Sequence, residues 1–218
     1  SWCQWNTNRN VIRFLIALGA PVGDKSFTEL KVPEWINDCN DDVKDEFFGA
    51  IIGGEIGIPK VHISKKHLDT LSLGITGTDK FSENRINFLN EFASYLNNLG
   101  IVTGSISVND HKKKNRKGEP TKIYRLMISL KFDNVVNFMS RTKIRYCIYK
   151  QKKLISTLNQ FRKIKSERII ELELQGYNRK DVMGLLNLTE ASLEIIKNMK
   201  TFDDMYNPHK LELIGQDK

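Results

Sequence analysis

Apolar residues recur along this chain with two periods, 3.6 and 2. Residues 8 to 19 and 42 to 55 carry them at helical spacing. So does SENRINFLNEFASYLNNLG, where Phe88, Phe92, Leu96 and Leu99 form a stripe, Ser82 is placed to cap and Gly100 to stop the helix. VIRFLIALGA, ended by the GAPVG turn, reads as a core helix, and Pro33 in KVPEWI as the start of a short helix or the end of an extended entry. Strict alternation marks four half-buried strands. In PKVHIS, Val61 and Ile63 oppose Lys60, His62 and Ser64; in LSLGIT, Leu71, Leu73 and Ile75 oppose Ser72, Gly74 and Thr76. In GSISVND, Ile106 and Val108 oppose Ser105, Ser107 and Asn109; in KIYRLMISL, Tyr124, Leu126, Ile128 and Leu130 oppose Arg125, Met127 and Ser129. FDNVVNFMSR then returns to the helical period.

The order is helix, strand, strand, helix, strand, strand, helix, which predicts an α+β fold. One antiparallel sheet would be covered by helices on its apolar side and open on its polar side. The basic loop 110 to 122 joins the last two strands as a long hairpin at the sheet's edge. A twisted polar sheet of that kind is shaped for a DNA major groove.

Charge sharpens this picture. The chain of 218 residues has a formal net charge of +8. Residues 141 to 168 hold ten Lys or Arg against Glu167, and HKKKNRKGEPTK holds six more against Glu119, whereas residues 24 to 55 lean acidic. Such a gradient favours a nucleic-acid partner over a uniformly solvated surface. No apolar run approaches the roughly 20 residues of a membrane helix, so no membrane partner is expected. Cys3, Cys39 and Cys147 are odd in number, far apart and outside any CxxC pair, which fits a reduced, cytoplasmic compartment without a disulfide framework or zinc site.

The chemistry concentrates in EFFGAIIGGEIG, residues 46 to 57. Gly49 and Gly53 are four apart, as are Ala50 and Gly54, so two small-residue rows on one helix let another backbone approach closely. Glu55 ends that helix, where the macrodipole disfavours a carboxylate and a cation is wanted. An exposed Glu after a glycine-rich turn is the plainer alternative; the GxGxxG and GxxxxGK[ST] phosphate-loop spacings are absent.

KVPEWI, FFGAIIGGEIGIPKVHI and the element order together resemble the LAGLIDADG (dodecapeptide, DOD-type) homing endonucleases, most closely the archaeal and intein-borne kind. The resemblance covers roughly residues 8 to 155, and NFMSRTKIRYCIYKQKKL resembles the segment that closes such a repeat. It implies an αββαββα fold with a saddle-shaped antiparallel sheet and helices on one face. It also implies two helices crossing at small residues, here Gly49, Ala50, Gly53 and Gly54. Each helix would end in an acid, and the pair would bind Mg²⁺ or Mn²⁺ for phosphodiester hydrolysis. On the motif, Glu55 takes the place of the metal-binding acid and Ala50 that of the first glycine. Gly53 stands where a non-ligating acid is common, and Ile56 where the final glycine is usual, with Gly57 one residue later. Lys60 and Lys122 are the basic candidates for polarising water or steadying the phosphate. Double-stranded DNA would lie on Lys60, His62, Ser64, Ser72, Thr76, Ser105, Ser107, Asn109, Lys112, Lys113, Lys114, Arg116 and Arg125.

No second acid-bearing motif occurs, so the sequence supplies half of such a site. One carboxylate cannot hold a six-coordinate Mg²⁺ well; two with waters and phosphate oxygens can. The second is expected from an upstream repeat of a longer chain, with a homodimer next and lost activity third. RIIELELQGYNRKDVMGLLNLTEASLEIIKNMK resembles a helix-turn-helix. Val182, Leu185, Leu188, Leu193 and Ile196 would form its core, Thr189 and Ser192 would face DNA, and Lys197 and Lys200 would sit near phosphates. The alternative is a helical hairpin packed on the rest of the chain. The expected organisation is residues 1–36 as the joint to a preceding repeat, 37–155 as the endonuclease repeat, 156–205 as the helical module and 206–218 as a tail. The competing function is a catalytically inactive DNA-binding transcriptional regulator on the same fold.

Overall fold

The computed structural model describes residues 9–24, 26–142, 144, 147–199 and 201–202, with the backbone alone of Lys112. Cys3, Lys200 and the expected tail lie outside the described residues. Helix α1 spans Arg9–Ala17, α2 Glu34–Asn37 and α3 Asp41–Glu55. Two short strands, β1 (Ile56–Gly57) and β2 (Val61–His62), lead into a turn, and β3 (His67–Leu68) and β4 (Leu71–Gly77) return. Then come α4 (Ser82–Asn98), β5 (Thr103–Lys114), β6 (Pro120–Ile128) and α5 (Phe132–Arg141). Helices α6 (Ile148–Leu174), α7 (Arg179–Leu186) and α8 (Glu190–Asn198) close the described chain. It is a mixed α/β protein whose main sheet is antiparallel, in the order β1-β4-β6-β5, beside a two-stranded β2-β3 ribbon.

Alternation decides which side the helices cover. Leu71, Leu73 and Ile75 of β4 and Tyr124, Leu126 and Ile128 of β6 are all buried, and register pairs them across the two strands. Against them pack Phe88, Leu89, Phe92 and Leu96 of α4, and Phe48 and Ile52 of α3. Phe48 stacks on Tyr95 at 4.1 Å and meets Phe92 edge-on at 4.8 Å, which seats α3 on α4.

Several expectations need correction. The strand foreseen in PKVHIS is shorter: only Val61 and His62 are strand, after Pro59 and Lys60, and Ile63 lies in the turn, 67% exposed. The basic loop 110 to 122 is mostly strand, because β5 pairs with β6 as far as Lys114↔Pro120 and leaves only 115–119 as the turn. Val108 is exposed on this outer strand. Ser82 does not cap α4; it is the first helical residue, and its hydroxyl shares a 2.5 Å hydrogen bond with the Tyr124 hydroxyl. Helix α1 is no core helix, since none of its residues is buried. Its Leu15, with Leu18 just beyond its end, borders an open apolar groove instead. The expected boundary at 155/156 falls inside α6, where Leu154, Ile155, Leu158 and Phe161 are buried in unbroken helical succession.

The segment between α1 and α3 is tied down by polar side chains. Asn84 of α4 exchanges hydrogen bonds with the backbone of Leu30, donating to its carbonyl and accepting its N–H. Arg85, fully buried, donates to the carbonyls of Thr76 at 3.2 Å and Thr28 at 2.9 Å. Its guanidinium takes the room beside Gly77, where a Cβ would come within 2.9 Å of Nε. Substituting Arg85→Met leaves two carbonyls without that donor and should destabilise the fold by about 2–3 kcal/mol in urea titration.

Lys165 of α6 is 8% exposed, and its Nζ donates to the carbonyl of Leu186 at the end of α7. Burial, and then the charge of Lys66, hold its pKa below the ordinary lysine value. The folded state therefore binds this proton less tightly than the unfolded chain. The contribution of Lys165 to stability should rise with pH through the window between its folded pKa and the ordinary value near 10.5. Comparing urea midpoints of wild type and Lys165→Met from pH 7 upward should show that rise only in the wild type.

Candidate functional site

Helix α3 sets the site. Asn40 caps it by accepting the Val43 N–H at 3.1 Å, and Asp41 and Asp42 suit the positive end of its dipole. The Tyr95 hydroxyl donates to Asp45 at 2.8 Å; burial and then that carboxylate push the phenol pKa well up. Of the small residues, Gly49 and Gly53 are buried by this chain's own packing, Ala50 is half-buried and Gly54 exposed. A Cβ on Gly54 would meet nothing within 4 Å, so nothing described here requires glycine at that position.

Glu55 is the last residue of α3 and half-buried. It stands at the rim of an apolar groove of about 590 Å³ walled by Phe47, Ile51, Ile75, Phe88, Leu15 and Leu18. The Trp35 indole N–H donates to the Leu18 carbonyl at 2.9 Å and joins α2 to the end of α1 along this groove. α3 has no basic residue in its last turn. A cation reaches it from α6: Lys150 Nζ donates to the Gly54 carbonyl at 2.6 Å. Local sequence gave no signal for that contact, because 96 residues separate its partners.

Of the two lysines foreseen beside Glu55, Lys122 is committed elsewhere. Lys122 pairs with Asp79 at 2.7 Å, and that hydrogen bond chiefly raises its pKa. It is in register with Gly77, four strand residues (roughly 13 Å) beyond Leu73, the partner of Ile56. Lys60 is exposed at the base of the β2-β3 ribbon, where its backbone N–H donates to Asp69. Among the described residues no three His, Cys, Asp or Glu side chains converge as a metal site.

The sheet's other face brings together much of the expected interface. Ser72, Ser107, Arg125, Met127, Gly57 and Asp69 line a shallow concavity of about 390 Å³. Arg125 lies at its middle, in register with Gly74 on one side and Ser107 on the other. Asn109 continues the β5 row and Ser105 lies exposed where the register is irregular. Thr76 borders the apolar groove rather than this concavity. The ribbon carrying exposed His62, Ser64, Lys65 and Lys66 extends past the Leu71 end of β4, and the β5-β6 turn past its Gly77 end. Two basic tips thus lie at opposite ends of one polar face. His62 and His67 stack at 4.9 Å, with Asp69 3.9 Å from His62. Lys113 and Lys114 are exposed, Arg116 lies 3.9 Å from Asp24, and Lys117 covers the Phe27 ring at 4.3 Å. The side chain of Lys112 is outside the described residues.

At the C-terminus the expected helices form, with α7 on RKDVMGLL and α8 after the NLT turn, but the side chains expected to face outward turn inward. Thr189 caps α8 by accepting the Ser192 N–H, and both hydroxyls donate to Asp133 of α5, at 2.9 and 2.7 Å. Ser192 is buried, so α8 turns this polar edge into the protein. Lys197 pairs with Glu173 at 2.5 Å. Leu185 is 59% exposed, leaving Val182, Leu193 and Ile196 as the fully buried contacts and Leu188 at their margin. The free side of α8 shows Glu190 and Glu194, both bound to Arg179, which is a poor surface for phosphates.

No protein-family model matches the chain, and no solved structure does. A curated protein from Pyrococcus abyssi, the tRNA-splicing ligase RtcB, is 30% identical over 142 residues, or 64% of this chain. The match spans 14% of that protein's length.

Because Thr189 is an internal cap, Thr189→Ala should cost about 1 kcal/mol of stability. Affinity for any duplex the protein binds should stay within twofold, as read by fluorescence anisotropy beside a thermal melt.

Proposed function

We propose that this chain is one half of a site-specific DNA endonuclease of the LAGLIDADG type. The placement of Glu55 carries the reading. An acid ends a helix whose Gly54 position is bare, at the rim of an apolar groove walled by that same helix. A second copy of such a face, from another repeat or another chain, would cover the groove and set two acids near each other. The order α3, strands, α4, strands, α5 fits the αββαββα arrangement that the resemblance implies, and the open sheet face with Arg125 and two basic tips suits a major groove.

The described residues of this chain do not by themselves fit a Mg²⁺ or Mn²⁺ ion, because no three His, Cys, Asp or Glu side chains come together among them. The fit requires the second acid. With that second acid, Glu55 and its counterpart would hold the ion, which would supply an activated water and charge neutralisation at the phosphate. The contribution of this chain is one carboxylate in a fixed place and a face that aligns the duplex. The reaction adds a water oxygen to phosphorus and breaks one P–O bond, leaving a phosphate monoester and a hydroxyl group.

The partial match covers a small share of a larger protein. The ligase name belongs to that protein. The absence of a second acid-bearing motif in the sequence favours one competing reading, a DNA-binding regulator without catalysis.

The test is selection of bound sites from a randomised duplex library, followed by incubation of the selected duplex with Mg²⁺ or Mn²⁺. The chain as given and the chain extended by its upstream coding sequence are assayed side by side. Cleavage should appear in at least one of them and fall by at least 100-fold in Glu55→Gln, with binding retained. Salt-sensitive binding without cleavage in either would leave the regulator.

A further inference from the structure

The C-terminal helices look like an added reading module, yet two side chains of α6 reach the turn that carries Glu55. Lys150 Nζ donates to the Gly54 carbonyl at 2.6 Å, and Thr157 Oγ1 donates to the Pro59 carbonyl at 3.2 Å. Seven residues separate the donors, two helical turns or about 10.5 Å, so they lie along one side of α6. Their acceptors bracket residues 55 to 58. The segment between them leaves a helix, makes the two-residue strand β1 and meets Pro59, so it has little regular structure of its own.

Each contact answers a local need. The last carbonyls of a helix have no partner within it. The Ile52 carbonyl is taken by the Ile56 N–H, and the next exposed residue, Gly54, receives the ammonium. A positive charge there also offsets the negative end of the α3 dipole, which otherwise adds to the charge of Glu55. Thr157 is 8% exposed, so its hydroxyl is a dry and persistent anchor. The far half of α6 is held by α7 and α8 through Ile169, Leu172, Val182, Leu193 and Ile196, which stiffens the helix that presents both donors.

We infer that α6 is a splint for the Glu55 turn and that Lys150 is a positioning residue of the site, so that the C-terminal helices serve the carboxylate and not the DNA. This rests on reading Glu55 as an active-site acid. Gly54 is exposed, so its carbonyl takes water once Lys150 is replaced, and the fold as a whole loses little.

The experiment uses the full chain with Lys150→Met, Lys150→Arg and Thr157→Val, in whichever form cuts the selected duplex. Lys150→Met should lower kcat at least tenfold with duplex Kd within twofold and Tm within about 2 °C, and Lys150→Arg should recover most of the loss. Cleavage by Lys150→Met within twofold of wild type overturns the inference. So does a loss that tracks Tm and that Lys150→Arg does not restore. Amide hydrogen exchange at Ile56 and Gly57 separates this from the endonuclease reading. If the wild type does not cut, that reading fails alone, and the splint stands on exchange at least fivefold faster in Lys150→Met and Thr157→Val. Unchanged exchange in both variants overturns it.

Discussion

Two-residue alternation in the central strands is the constraint from which the rest of this structure follows. β4 and β6 pair over seven residues, and on one side Leu71, Leu73 and Ile75 meet Ile128, Leu126 and Tyr124, all buried. That side must be covered, and α3 and α4 cover it with aromatic side chains that interlock at Phe48, Phe92 and Tyr95. The opposite side carries half-buried Ser107, Arg125 and Met127 and buried Ser72 around a shallow concavity. That polar face is the one on which the proposed reading would lay its duplex, and the formal net charge of the chain is +8.

The second consequence concerns how α3 ends. Seating the helix on the sheet through Phe48 and Ile52 aims its C-terminus at the start of β1, so Glu55 emerges where helix, sheet edge and apolar groove meet. A carboxylate there is at odds with the helix dipole. The fold answers with Lys150 from a distant helix rather than with a basic residue in α3 itself. Position and charge at this turn are thus linked to the C-terminal helices, which a reading of separate modules leaves unconnected.

Those helices also show how one residue pattern serves two ends. A short helix, a turn with Asn187 in the left-handed region and a capped second helix is the shape of a DNA-reading unit. Thr and Ser at the start of the second helix suit either phosphates or a cap. The presence of Asp133 on α5 decides between them: its carboxylate accepts from both hydroxyls and draws that edge of α8 inward. Burial of Phe132 against Phe161 and Phe202 completes the dock.

Sequence alone determined what depends on near neighbours. The helices α3, α4 and α5, the faces of β4 and β6 and the end of α3 at Glu55 all follow from spacing, caps and side-chain type within a few residues. Tertiary structure decided what depends on partners far along the chain. It shortened the PKVHIS strand against Asp69, drew the basic loop into β5 and β6, and committed Lys122 to Asp79 and Ser82 to Tyr124. It also brought Lys150 to Gly54 across 96 residues and turned Thr189 and Ser192 toward Asp133. Local pattern fixes which way a side chain faces relative to its own element, through the periods of helix and strand. Which polar group it meets there depends on how elements pack, and packing is set by the whole core at once.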